Sequence, residues 1–141
     1  MTETSETALG DYELEERQAL RRVVGLSTEL QDISEVEYRQ LRLERVLLEG
    51  MILKPNMVVP GLKCPTQVSA DAVADATIGV FRRVVPAAVG GIAFLSGGQS
   101  AQDASARLNA MNARFKGQLP WPVAFSYARA IQDPAMKAWA G

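Results

Sequence analysis

Apolar positions along the chain change their period several times, and each change marks a different kind of element. Residues 1–10 are small and polar with nothing to bury, which predicts a disordered start. From Asp11, Leu14, Leu20, Val23 and Val24 recur between charges and predict a helix to about Val24, stopped by Gly25. Ser34 and Glu37 stand at capping-box spacing, with Ile33 and Tyr38 at staple spacing, so a second helix is expected from Glu35 to Arg45. From Val46 to Leu53 apolar residues fill both faces, Glu49 excepted, as in a buried strand. Lys54 and Pro55 close that run and a Pro-Gly loop follows. Ser69 or Asp71 can cap a helix with Val73, Ala76, Val80, Phe81 and Val84 apolar, ending near Pro86. Gly91–Leu95, "GIAFL", reads as a second buried strand, and "SGGQS" turns the chain into a helix from Gln102 to Arg114 with Ala104, Leu108 and Met111 on one face. Val123–Tyr127, "VAFSY", is a third strand, and Arg129 onward is helical or irregular to Gly141.

Strands alternating with helices predict an α/β fold with right-handed crossovers and a parallel sheet. Such sheets gather ligands at the carboxyl ends of their strands. Three groups fall there: Lys54 after the first strand, Ser96-Gly97-Gly98 after the second, and Ser126 to Arg129 after the third. The glycine pair permits a turn whose N–H groups face an anion, and the arginine adds charge and fixed donors. Lys54 is either a boundary residue with its ammonium in water or an amine that its neighbours make nucleophilic. Taken alone, one lysine ending an apolar run favours the boundary reading, because lysine stems readily reach along apolar surface.

Composition narrows the chemistry. The 141 residues, 48% hydrophobic and 22% charged, suit one domain with a core. Uncharged apolar stretches fall short of the roughly 18 residues a bilayer helix needs, and the polar start lacks a leader pattern, so a cytoplasmic chain without a membrane partner is expected. The single cysteine, Cys64, agrees with a reducing compartment. With no histidine at all, a catalytic zinc site or a Ser-His triad is disfavoured, and the chemistry is left to Lys, Arg, carboxylates, hydroxyls or backbone amides. Charge is segregated: residues 1–50 hold 12 acids and 6 bases, residues 51–141 hold 4 acids and 9 bases. The cations of the second segment are scattered and not interleaved with aromatics, which argues against a nucleic-acid partner.

The segments "LEGMILKPNMVVPG", "AAVGGIAFLSGGQS", "LNAMN", "PWPVAFSYARAIQ" and "MKAWAG" resemble the carboxyl-terminal portion of class I fructose-bisphosphate aldolase, in order and spacing, from about Leu47 to Gly141. The resemblance implies a partial (β/α)8 TIM barrel, about its last three strands with their helices, preceded by two amino-terminal helices; residues 11–46 are expected to be a helical segment that does not match the family. It implies reversible cleavage of fructose 1,6-bisphosphate to dihydroxyacetone phosphate and glyceraldehyde 3-phosphate, a glycolytic lyase reaction on a phosphorylated sugar with no cofactor. Lys54 would be the Schiff-base lysine, kept nucleophilic by burial and nearby cations. Ser96, Gly97, Gly98, Ser126 and Arg129 would hold the C1 phosphate. Ala128 stands where the family usually has glycine, so its methyl is expected to crowd that phosphate.

A complete barrel needs roughly 250 residues, and no motif here matches the aspartate, second lysine and paired glutamates that the family draws from earlier strands. Three readings stay open: a lyase incomplete as this chain, a phosphate-binding or Schiff-base-forming partial barrel without turnover, and a non-functional fragment. Each leaves strand edges unpaired, so self-association is expected.

Overall fold

The computed structural model describes residues 35–61 and 64–139. The expected disordered start, the helix to Val24, and Ile33 and Ser34 of the second helix's cap lie outside the described residues. Residues 35–43 are helical (α1) and carry Tyr38 into the core. Arg45 then adopts φ 57°, its N–H donating to the Arg42 carbonyl at 3.1 Å while the Val46 N–H donates to the Leu41 carbonyl at 3.0 Å. That pair of bonds is a Schellman closure with arginine in the left-handed position usually held by glycine. It stops the helix just short of the expected Arg45.

The strand expected over Val46–Leu53 shrinks to Ile52–Leu53 (β1). Leu48–Gly50 instead form a 3-10 turn, in which the Gly50 and Met51 N–H groups donate to the Leu47 and Leu48 carbonyls at 3.2 Å. Backbone groups used locally in this way do not join a ladder. The run is not buried on both faces either, since Val46, Leu47 and Ile52 are exposed, because among the described residues β1 is an edge strand with one neighbour.

The remaining elements follow the expected order: α2 (Ala70–Val84), β2 (Gly91–Phe94), α3 (Ala101–Arg114), β3 (Val123–Phe125) and α4 (Arg129–Trp139). The three strands form one parallel sheet in the order β1-β2-β3, with Leu53 beside Ile92, Ile92 beside Val123 and Phe94 beside Phe125. Serine side chains start both long helices: Ser69 Oγ accepts the Ala72 N–H at 3.2 Å and Ser100 Oγ accepts the Asp103 N–H at 3.0 Å. Ile92 and Phe94 point into the core while Phe81 of α2 stacks on Phe94 with ring centres 5.6 Å apart. Met111 of α3 and Val73 and Ile78 of α2 complete this layer. Trp121 closes its lower end, donating Nε1–H to the Pro86 carbonyl at 3.0 Å. By contrast, α4 buries no residue and exposes Ile131, Met136 and Trp139. No helix among the described residues is long and apolar enough to cross a membrane.

Candidate functional site

Backbone bonds continue past the strands and tie their carboxyl ends together. The Leu95 N–H donates to the Pro55 carbonyl at 3.0 Å, joining the residue after Lys54 to the residue before Ser96. The Ser126 N–H donates to the Phe94 carbonyl at 2.7 Å, bringing the third strand's end against the second. One rim therefore carries all three predicted groups.

The glycine pair behaves as its residue type allows. Gly97 has φ 58° and Gly98 φ 82°, both in the left-handed region, and the turn closes with the Gln99 N–H donating to the Ser96 carbonyl at 2.9 Å. A side chain on Gly97 would run into the amide of Asn56, two residues beyond Lys54, so the turn and the Lys54 loop are packed face to face. Ser96 is buried at the turn's base.

Ser96, Gly98 and Arg129 line one open cleft of about 460 Å³, together with Ser100, Asp133 and Lys137. Gly97 supports the turn from behind, and Ser126 binds the strands through its backbone; neither lines the cleft. Lys54 sits at the end of β1 as expected but lies outside the cleft, and its side chain is exposed. The burial anticipated for it is absent because β1 is an edge and nothing among the described residues covers its outer side. Ala128 has no positive φ, so its methyl brings no backbone strain where the resemblance implies glycine; its carbonyl starts α4 by accepting the Ile131 and Gln132 N–H groups at 3.0 Å.

Asp133 and Lys137 were missed in the sequence. They follow Arg129 at steps of four, which puts the three on one face of α4, and that spacing was the available signal. Two cations and one carboxylate leave the face cationic by one charge. Beside the cleft, Tyr127 donates its hydroxyl to the Ala104 carbonyl at 2.8 Å, and burial pushes its phenol above the ordinary value. No group of three or more His, Cys, Asp or Glu residues gathers for a metal among the described residues.

The family model Fructose-bisphosphate aldolase class-I matches residues 17–141, a span that starts ahead of Leu47. The chain belongs to the class I fructose-bisphosphate aldolase family. Among its relatives, a fructose-bisphosphate aldolase of Lymnaea stagnalis is 53% identical over 96 residues, covering 68% of this chain and 94% of that one. Fructose-bisphosphate aldolase C-B of Danio rerio is 50% identical over 104 residues, 74% of this chain and 28% of that protein. A cytoplasmic aldolase isozyme of Pisum sativum is also 50% identical, with 29% of its length covered. The aldolase of Plasmodium falciparum, solved with TRAP and a small-molecule inhibitor, superposes with a TM-score of 0.78 and 39% identity over 83% of this chain and 33% of that one. The chain thus spans less than a third of the Danio rerio and Pisum sativum aldolases, and the sheet described above is a partial TIM barrel of this aldolase fold.

Proposed function

We propose that the chain supplies the Schiff-base lysine and the C1-phosphate half of an aldolase site. Lys54 Nζ adds to the C2 ketone of dihydroxyacetone phosphate or fructose 1,6-bisphosphate, and loss of water leaves an iminium. In the cleavage direction the iminium accepts the electron pair of the breaking C3–C4 bond, releasing glyceraldehyde 3-phosphate and leaving the enamine of dihydroxyacetone phosphate. The C1 phosphate lies in the 460 Å³ cleft, with Arg129 giving charge-assisted bonds and the Ser96–Gly98 turn giving hydroxyl and backbone donors. The convergence of three strand ends on one rim is the observation that carries this reading.

Release of the C4 hydroxyl proton during cleavage needs acid–base groups that the family draws from earlier strands. This chain is therefore expected to bind and condense but to turn over poorly by itself. The enclosure that Lys54 lacks is supplied by a second copy pairing along the open edges, where Ile52 of β1 is 60% exposed and Phe125 of β3 is 57% exposed. A cytoplasmic setting fits the single cysteine and the cytoplasmic isozymes among the relatives.

Dihydroxyacetone phosphate binding, measured by calorimetry on wild type and Arg129→Ala, tests the site. Loss of a charge-assisted bond worth about 1.5–3 kcal/mol weakens binding by about 10- to 150-fold. Equal affinity in the two proteins would overturn the assignment. Triose phosphate release from fructose 1,6-bisphosphate separates the alternatives, since rapid release would mean that turnover needs nothing beyond this chain.

A further inference from the structure

Arg107 of α3 is only 7% exposed, yet among the described residues no carboxylate comes within ion-pairing distance of it. Its one hydrogen-bond partner there is neutral: Nη1 donates to Gln99 Oε1 at 2.8 Å. A cation held in so largely buried a place with so little compensation is costly unless it meets an anion. The same bond fixes the Gln99 amide, because turning it over would set its N–H groups against the guanidinium. Gln99 Nε2 is consequently buried without an acceptor among the described residues.

Both groups line a cleft of about 310 Å³ whose other walls are Val59, Pro60, Cys64 and Gln67 on one side and the start of α3 on the other. It shares the Gly98–Ser100 turn as a wall with the larger cleft holding Arg129, but its lining includes Pro60 and Gln67 and no residue of α4. Asp103 borders it as well; its carboxylate accepts the Ser100 hydroxyl at 2.8 Å and its side chain is exposed, so it does not neutralise Arg107. Of the groups on this wall, the two that lack an anionic or accepting partner among the described residues, the Arg107 guanidinium and the Gln99 amide nitrogen, are donors, and one of them is charged; the Asp103 carboxylate and the Gln67 amide border the same cleft. The complement of those two donors is an acceptor with negative charge and several oxygens.

We propose that Arg107 and Gln99 form a second anion-binding site, taking a small oxyanion of the phosphate class, separate from the Arg129 cleft and independent of Lys54 chemistry. The guanidinium supplies its unused fork and Gln99 its amide N–H groups. Water could satisfy the amide but would bring no charge to the arginine.

Inorganic phosphate, titrated at constant ionic strength, is the probe. In Arg129→Ala, one phosphate per chain still binds. Adding Gln99→Glu to that variant places a carboxylate against the guanidinium and weakens the remaining binding about tenfold or more, while the melting temperature without phosphate stays level or rises. Arg107→Lys, which keeps the charge and loses the fork, also weakens binding in the Arg129→Ala background without loss of a cooperative melt. The proposal is overturned if Arg129→Ala alone abolishes phosphate binding, or if Gln99→Glu leaves the residual affinity unchanged. If wild type and Arg129→Ala bind the same single phosphate with equal affinity, and Gln99→Glu weakens it, the C1-phosphate reading fails alone and this site stands.

Discussion

Replacing Thr77 by valine removes one hydrogen bond and almost no volume. Thr77 is fully buried on α2, and its Oγ1 accepts the Val58 N–H at 3.0 Å, which anchors the loop running out from Lys54. Val58 is itself buried, so in Thr77→Val its N–H has no acceptor and no water to turn to. Stranding a buried donor costs about 1–3 kcal/mol. For a chain of 141 residues that lowers the melting temperature by about 3–10 °C. Thr77→Ser keeps the acceptor and loses one methyl group, a cost of about 1 kcal/mol. Urea denaturation followed by tryptophan fluorescence reads both, with Trp121 buried in the core as the reporter. Valine should be the more damaging change although it is the more apolar. If Thr77→Val matches wild type while Thr77→Ser is destabilised, burial alone governs the site and the Thr77–Val58 bond contributes nothing.

Three further changes probe the same framework. A Cβ on Gly90 would lie 2.8 Å from the Glu49 carbonyl oxygen and 3.2 Å from that of Met51, so Gly90→Ala should push β1 away from β2, cost about 1–3 kcal/mol in urea melts and loosen phosphate binding little. Arg45→Gly relieves a left-handed arginine and should stabilise the chain by about 0.5–1 kcal/mol by the same measurement; a loss would argue against the closure at the end of α1. Burial raises the Tyr127 phenol above its ordinary value of 10.0, so its stabilising contribution is fully present below about pH 10 and is lost as pH rises through the raised folded value. Tyr127→Phe should flatten that part of the alkaline stability profile, and an unchanged slope would speak against the burial of its hydroxyl.

Much of the fold was legible because the signals were local. Ser69 or Asp71 announces α2, the short unbroken apolar run Gly91–Leu95 announces β2, and the glycines at 97 and 98 announce a turn that left-handed backbone makes. The length of β1 was not legible. An apolar run looks the same whether its backbone bonds go to a neighbouring strand or, as at Leu47 and Leu48, to its own next turn. The exposure of Lys54 was hidden for a related reason: the composition of "MILK" describes a strand packed on both sides, while its real environment depends on having β2 as its single neighbour among the described residues. Arg107 was passed over because a cation in an amphipathic helix is usually on the wet face. Only the packing of α3 beneath the Gly98–Ser100 turn shows it to be buried.

Borohydride reduction in the presence of dihydroxyacetone phosphate, followed by peptide mass spectrometry, tests the central claim most directly. The account predicts a reduced adduct on the peptide containing Lys54, suppressed by excess inorganic phosphate and weakened in Arg129→Ala. No adduct, or one distributed over Lys116 and Lys137 as readily as over Lys54, would contradict it.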